Sequence, residues 1–272
     1  MLLDGAGSPA WNMALDEALL DGYAAGPSRP PTVRLYGWAP PALSLGRGQD
    51  ARTAHDAVFL RAEGIDLVRR PSGGAAVLHE HERTYSVVGR LREEPFPGGV
   101  LDTYRLIASA LVSALRRLGI DARSAQPTAQ APGAARSTLC FAEVSQHEIA
   151  VGATKLVGSA QLRRRGAFLQ HGSILLRAHP ERAARAAAAA AASARFAGLE
   201  DLLGRAVALE EVDRAVVSGF ETIFAAELRR GDLSDAERVR ADWLRRAKHE
   251  TREWVLEGRA PHAGAAPSSA AR

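Results

Sequence analysis

Cysteine is nearly absent from this sequence. Cys140 is the only one among 272 residues, which excludes a disulfide framework and a zinc site built on paired cysteines. A chain of this length buries a substantial core without such cross-links. No run approaches the roughly 20 apolar residues that span a bilayer, and residues 1–17 lack the basic start and apolar centre of a signal peptide. We therefore expect a cytoplasmic protein whose lone thiol stays reduced and free for chemistry.

Lysine is scarce as well. Among the 35 basic residues only Lys155 and Lys248 are lysine, and the others are arginine. Because the chain uses arginine where a cation is enough, each lysine is a candidate for a role that needs a titratable amine. The net charge of +4 indicates acidic partners. The basic residues are dispersed and no nucleic-acid-binding motif is present, so we expect neither nucleic acid nor a membrane as a partner.

The order of predicted elements favours an α+β fold. Apolar residues recur at helical spacing over 12–20 and 102–118, with acidic residues on the other face of the first helix, and Asp50 is a candidate N-cap for a helix running to about residue 63. Strand patterns lie at 32–36, 42–45, 65–70, 84–88, 147–151, 154–162 and 167–176. From about 180 to 245 the pattern is helical, including an alanine-rich run at 186–192. Strands followed by helices are typical of α+β domains.

The segment 69–80, RRPSGGAAVLHE, is the first candidate site. Its paired glycines, Gly73 and Gly74, allow close approach of the backbone to a ligand. Arg70 at the strand end is placed to pair with a carbonyl or phosphate group, and His79 follows the next strand. The loop lacks the Gly-Lys-Ser/Thr ending of a phosphate-binding loop and is not a dinucleotide fingerprint. A tight turn with His79 as a structural hydrogen-bonding group explains the same residues equally well.

Cys140 and Lys155 form the second candidate site. A single cysteine is more often a small buried apolar residue than a nucleophile. Here, however, it follows a polar loop, and Lys155 begins a glycine-flanked strand fifteen residues later. An ammonium group near a thiol lowers the thiol pKa and favours the reactive thiolate. An exposed hairpin lysine is an alternative of equal weight.

His171 and Gly172, in the strand pattern QHGSILL at 170–176, form the third candidate site. A glycine within a strand often marks close approach of backbone or ligand, although a histidine on a strand surface fits equally well. No Gly-x-Ser-x-Gly elbow is present, which argues against a serine hydrolase of that type. The histidines show no paired ligand spacing, so we expect no metal site.

Three segments together are similar to the signature segments of the biotin/lipoate protein ligase family. They are NMALDEALL, RRPSGGAAVLHE and KLVGSAQLRRRGAFLQHGSILL, and the resemblance runs from about residue 10 to residue 255. It implies a mixed, largely antiparallel sheet flanked by helices, like the catalytic domains of biotin synthetases and class II aminoacyl-tRNA synthetases. We expect one catalytic domain over 1–255, with its core at about 29–240 and C-terminal helices to 255, and a disordered tail at 256–272.

Within this family the branches differ in their chemistry. Lipoate ligases adenylate a free acid with ATP and need no cysteine, whereas octanoyltransferases move octanoate from acyl carrier protein to a lipoyl domain through a cysteine thioester. The segment STLCFAEVSQHEIAVGATKLVGSAQ is similar to the branch whose cysteine lies in a Cys-Phe segment upstream of the lysine. The resemblance therefore implies an octanoyltransferase of lipoate biosynthesis, with Cys140 and Lys155 as catalytic residues, no cofactor and no metal.

The resemblance also implies a set of substrate-binding residues and two protein partners. The residues are Arg70, Ser72, Gly73, Gly74, Ala75, His79, Gly158, Ser159, Ala160, His171, Gly172 and Ser173, with Ala75 in place of a third glycine. The partners are octanoyl-acyl carrier protein and a lipoyl-domain acceptor, either the glycine cleavage H protein or a 2-oxoacid dehydrogenase E2. The arginines at 163–165 are candidate contacts for these acidic partners, or a solvated turn; His147 has no assigned role.

Three other activities remain open at this point. They are an ATP-dependent lipoate-protein ligase core, a lipoyl-protein amidotransferase, and an inactive module that captures acylated proteins. The presence of both Cys140 and Lys155 argues against the inactive module.

Overall fold

The computed structural model describes residues 1–27, 29–96, 98–124, 149–152, 154–189 and 196–260. The strands are β1 (Leu2–Gly7), β2 (Thr32–Trp38), β3 (Ala42–Leu45), β4 (Asp66–Arg69), β5 (Val77–His79), β6 (Glu82–Arg90), β7 (Arg123–Ser124), β8 (Ile149–Val151), β9 (Thr154–Arg164) and β10 (Ala167–Leu175). The α-helices are α1 (Pro9–Ala25), α2 (Ala57–Ala62), α3 (Val100–Arg117), α4 (Pro180–Ala186), α5 (Leu199–Leu203), α6 (Leu209–Phe224), α7 (Asp235–Leu244) and α8 (Arg252–Glu257).

These strands form two sheets. The larger has the order β1-β2-β6-β10-β9-β8-β7 and is antiparallel except for the β1–β2 pair, and the smaller has the order β4-β3-β5. A two-residue turn joins β9 to β10, where Arg165 (φ 48°) and Gly166 (φ 79°) both take the positive φ that such a hairpin requires. The predicted mixed, largely antiparallel sheet flanked by helices is confirmed.

Helices cover both faces of the large sheet. On one face α3 and α6 share a hydrophobic core with the strands, which includes Ile107 and Phe220 of the helices and Tyr85 and Val87 of β6. On the other face α1 packs against β6 and β10, where Val88 is buried, and α7 packs against α1. Because neighbouring residues of a strand point to opposite faces, β6 contributes to both cores and is buried over most of its length.

Two predicted helices were wrong in extent. The helix expected from Asp50 begins only at Ala57, because Asp56 is its N-cap and accepts hydrogen bonds from the amides of Val58 and Phe59. The alanine-rich helix expected over 186–192 ends at Ala186, whose carbonyl accepts a hydrogen bond from the amide of Asp56. This tertiary contact outweighs alanine's helix propensity, and residues 190–195 lie outside the described ranges.

The C-terminal part of the described chain docks onto the small sheet. Helix α7 continues into a π-helical turn at Arg245–His249, and α8 then buries Trp254, whose indole Nε1 donates to the carbonyl of Arg69 (2.8 Å). Arg69 Nε donates in return to the carbonyl of Trp254 (2.9 Å). Helix α8 ends at Glu257, two residues beyond the expected limit, and residues 261–272 lie outside the described ranges. Within the described ranges, no helix combines the length and apolar character needed to cross a membrane.

Candidate active site

A small cavity of about 30 Å³ lies where the two sheets meet. Its lining residues come from α1, both sheets and the glycine-rich loop, and they are Met13, Tyr36, Trp38, Ser44, Arg70, Val77, His79, Thr84, Gly158, Ser159, Ala160, His171, Gly172 and Ser173. Eight of the predicted substrate-binding residues are among them, although the predicted segments are far apart in the sequence.

His171 on β10 is fixed by hydrogen bonds at both ring nitrogens. Nδ1 lies 3.1 Å from Oδ2 of Asp16, and Nε2 lies 2.6 Å from Oγ of Ser72. These distances fit the tautomer that donates from Nδ1 to the carboxylate and accepts at Nε2 from the hydroxyl. Because Ser72 is buried and lies outside the cavity wall, this chain of groups positions the imidazole and offers no exposed serine nucleophile.

His79 at the end of β5 is held in the same way. Nδ1 lies 2.8 Å from Oε1 of Glu82, and Nε2 lies 2.8 Å from Oγ of Ser44. Its ring stacks on Trp38 with the ring centroids 4.0 Å apart. Ser173 and the hydroxyl of Thr84 donate to the same Glu82 oxygen at 2.8 and 2.5 Å. Since both imidazoles of the cavity have protein partners at both nitrogens, they are better suited to fixing the shape of the site than to carrying protons.

The glycine-rich loop is organised by Arg70. Its guanidinium donates to the carbonyl oxygens of Ser44 (3.0 Å), Gly73 (2.8 Å) and Ala75 (2.7 Å), so it braces the loop from inside. Gly74 has a φ of 96°. Its carbonyl oxygen lies against Gly46, and a Cβ on Gly46 would be only 1.8 Å from that oxygen. The predicted residues Ser72, Gly73, Gly74 and Ala75 therefore shape the loop behind the cavity and do not line it.

Gly172 permits the close approach of β9 and β10 inside the cavity. A Cβ at this position would lie 2.3 Å from the carbonyl oxygen of Gly158 and 2.7 Å from the Tyr85 ring. The Tyr85 hydroxyl in turn lies 2.7 Å from Oγ of Ser159. A glycine inside this strand is thus required by close packing, as expected for such a position.

Of the two predicted catalytic residues, the structure describes Lys155 but not Cys140. Lys155 is on β9, is fully buried, and pairs with Ala150 of β8. It does not line the cavity, whereas Gly158, Ser159 and Ala160 on the same strand do. Cys140 and His147 lie outside the described residues, so the proximity of Cys140 to Lys155 stays a prediction.

Sequence reasoning misplaced the acidic residues of α1. Asp16 and Glu17 were expected on the exposed face, but both are buried. Asp16 accepts hydrogen bonds from Arg34, Tyr36 and Ser86 in addition to its contact with His171. Glu17 accepts from Lys248 and from His249, and these bonds outweigh the effect of burial and hold the Glu17 pKa well below its ordinary value. The one available signal was an Asp-Glu pair with apolar residues directly before and after it, in the run MALDEALL.

This chain is similar to known proteins in both sequence and fold. The family described as Lipoyl protein ligase A/B catalytic domain matches residues 8–221. The chain belongs to this family. It is 43% identical over 267 residues to octanoyltransferase LipM of Kyrpidia tusciae, covering 93% of this chain and 97% of that protein. It is 34% identical over 264 residues to octanoyltransferase LipM of Bacillus subtilis, covering 92% of this chain and 95% of that protein.

The fold agrees with membership of the lipoyl protein ligase A/B family. A solved structure of lipoate-protein ligase A bound with ATP matches with a TM-score of 0.80 and 26% identity, covering 94% of this chain and 97% of that one. The predicted resemblance to the biotin/lipoate protein ligases is confirmed. The cavity therefore lies in a fold that this chain shares with lipoate-protein ligase A, and its lining side chains are those described above.

Proposed function

We propose that this protein is an octanoyltransferase of lipoate biosynthesis, an acyltransferase that moves an octanoyl group onto a lysine of a lipoyl domain. The observation that carries the proposal is the 34–43% identity to proteins named octanoyltransferases, which extends over more than nine tenths of the chain. The lining of the cavity supports it, because Met13, Trp38 and Val77 contribute apolar surface of the kind that contacts an alkyl chain.

The proposed reaction has two steps and uses Cys140 as nucleophile. The thiolate of Cys140 attacks the thioester carbonyl of octanoyl-acyl carrier protein, forming an octanoyl-thioester and releasing the carrier thiol, which takes up a proton. The amine of the acceptor lysine then attacks this thioester, forming an amide, losing a proton and regenerating Cys140. Neither step needs an energy-rich cofactor, because a thioester is exchanged first for a thioester and then for the more stable amide.

Lys155 is the proposed partner of Cys140 in both steps. Cys140 lies between β7 and β8 in the sequence, and β8 is the strand that pairs with β9 beside Lys155. An ammonium group near the thiol favours the thiolate and stabilises the developing oxyanion. A neutral lysine amine would accept the proton of the attacking amine.

Intact-protein mass spectrometry with octanoyl-acyl carrier protein tests the function directly. We expect one octanoyl group to be added to the wild-type chain, to be removed by hydroxylamine, and to be passed to a lipoyl domain without ATP. The second candidate, an ATP-dependent lipoate ligase, is favoured by the likeness to the ATP-bound ligase structure. If ATP and a free acid release pyrophosphate and no adduct forms on the protein, the result would contradict the transferase and support the ligase.

We further propose that both protein substrates are acidic and approach the β9–β10 turn. Arg163 and the exposed Arg165 are the candidate contacts there. Arg164 is excluded from this set, because it donates to Glu17 (3.0 Å) and also pairs with Asp21. It therefore holds the buried cluster around Glu17 together and is not available for a partner.

Raising the salt concentration from about 50 to 500 mM is expected to lower kcat/KM for octanoyl-acyl carrier protein several-fold, because screening shortens the range of charge attraction. The reaction of Cys140 with a small neutral thioester should change little. Arg163→Gln with Arg165→Gln should reduce the salt dependence, whereas Arg229→Gln, which removes an exposed charge elsewhere, is the matched control. Protein-substrate rates that do not change with salt would contradict steering by these arginines.

A further inference from the structure

Two histidines and a glutamate meet outside the cavity. The ligand atoms of Glu80, His81 and His179 all lie within 4.8 Å of one another, and the two imidazole rings are 5.2 Å apart between centroids. Glu80 and His179 are half-buried and His81 is exposed, so the group is open to solvent on one side. His179 lies 98 positions after His81, which is why the spacing of histidines along the sequence gave no sign of this cluster.

The backbone holds these side chains in place. Glu80 and His81 form the tight turn between β5 and β6, and His179 is the residue before Pro180 at the start of α4. The carbonyl of His81 accepts hydrogen bonds from the amides of Leu176 (2.7 Å) and Arg177 (3.3 Å). The turn is thus bonded to the segment that leads into α4, and the fold brings the backbones of the three residues together before any ligand binds.

We propose that Glu80, His81 and His179 bind one first-row divalent cation of the zinc type. Two imidazole nitrogens and one carboxylate oxygen are a ligand set that zinc takes in proteins, with a fourth position left for water. Ligand atoms at about 2.0–2.1 Å from a tetrahedral metal are about 3.4 Å from one another. The three ligand atoms here lie within 4.8 Å of one another, so side-chain rotations that move each atom by roughly an ångström would bring them to coordinating distances.

The charges around the cluster are compatible with a cation. Arg182 Nε donates to one oxygen of Glu80 (2.9 Å), an outer contact that orients a carboxylate ligand while its other oxygen faces the metal. Two arginines near the cluster, Arg182 and Arg177, are paired with carboxylates outside it. Glu63 accepts from Arg182 at 2.5 Å and Glu200 accepts from Arg177 at 2.8 Å.

Such a cation would join the β5–β6 turn to α4. The residues on either side of the turn are His79 and Glu82, which are hydrogen-bonded to each other beside the cavity. Binding to the folded chain alone would therefore stabilise the wall of the candidate active site, by mass action. This inference is independent of the proposed transferase function.

Zinc titration of the full chain tests the site. The chain, freed of metal and of any histidine tag, carries Cys140→Ser so that the thiol supplies no ligand, and binding is followed by calorimetry and by the melting temperature. We expect one saturating equivalent of Zn²⁺ and a rise in melting temperature. His81→Ala and His179→Ala should each weaken binding by at least about 10–100-fold, the loss that even outer-shell changes cause.

The control variant is His55→Ala. His55 is half-buried and bonds the carbonyl of Ala51, away from the cluster, so its removal should leave the zinc affinity unchanged. Because His81 is exposed, His81→Ala should melt like its parent when metal is absent, which separates lost binding from lost folding. Absence of saturable binding, or equal binding by the His81→Ala and His179→Ala variants, would overturn the proposal.

Discussion

Cys140→Ala is expected to abolish the octanoyl adduct and to lower transfer to the lipoyl domain by at least about 1,000-fold, since removing a catalytic nucleophile costs at least this much in comparable enzymes. No other thiol is present in the chain to replace it. The adduct is measured by intact mass and transfer by the mass of the lipoyl domain. A Cys140→Ala protein that still transfers octanoate at the wild-type rate would contradict the thioester mechanism.

Cys140→Ser is the companion variant. A serine hydroxyl is a weak nucleophile without an adjacent base, so any octanoyl ester should form slowly and resist hydroxylamine under conditions that cleave the wild-type thioester. If the adduct of this variant is cleaved by hydroxylamine as readily as that of the wild type, the octanoyl group is on a residue other than residue 140.

Lys155 variants separate its two proposed roles. Lys155→Met keeps a buried chain of similar length but removes the charge, and it should slow alkylation of Cys140 by iodoacetamide at neutral pH. Lys155→Arg restores a charge that cannot donate its proton under ordinary conditions. Recovery of alkylation without recovery of transfer would assign Lys155 to proton handling. Lys248→Met is the control, because Lys248 bonds Glu17 in the buried cluster and should affect stability without changing thiol reactivity.

Local sequence signals identified the segments of the site but not how they are connected. Gly172 interrupts a strand pattern, and the structure explains it by the approach of Gly158 and Tyr85. The pairing of Asp16 with His171 joins residues 155 positions apart, and no local pattern reports such a distance. The helical periodicity of α1 predicted Asp16 and Glu17 on the solvent-exposed face. Periodicity places acidic residues on that face by default and contains no information about buried partners such as Arg34 and Lys248.

The same limit explains the errors in the elements. β3 was predicted with its observed bounds from local pattern. The end of α4 was not, because it depends on a hydrogen bond from Asp56, more than a hundred residues earlier in the chain. Propensity describes a segment by itself, whereas helix ends are decided by the groups that satisfy their last carbonyls.

Asp16→Asn is expected to destabilise the fold by about 3–5 kcal/mol, the usual cost of removing one partner of a buried ion pair. The carboxylate is fully buried, and Oδ1 lies 2.9 Å from Arg34 Nη1. Asparagine has nearly the same volume, but it removes the negative charge that pairs with the Arg34 guanidinium. Its amide NH₂ group would also face the donors that now bond the carboxylate, which are Arg34, Tyr36 and Ser86. Urea unfolding at neutral pH measures the loss.

Asp4→Asn is the matched control. Asp4 pairs with the same guanidinium, with its Oδ2 2.7 Å from Arg34 Nε, but its side chain is 37% exposed. Because water screens and partly replaces that contact, the expected loss is below about 1 kcal/mol. Equal losses in the two variants would show that burial does not govern the strength of this ion pair.

The pH dependence of stability gives Asp16 a second signature. Burial by itself raises the pKa of Asp16, but the hydrogen bond from His171 and the charge of Arg34 outweigh it, so the pKa lies below its ordinary value of 3.8. A carboxyl group whose pKa is lower in the folded protein contributes its full stability above its unfolded pKa and loses that contribution as the pH falls through the folded pKa. The gap in unfolding free energy between wild type and Asp16→Asn should therefore be constant from about pH 7 to 5 and narrow below about pH 4. A gap that stays constant into acid would mean that Asp16 stabilises the fold through its shape and not through its charge.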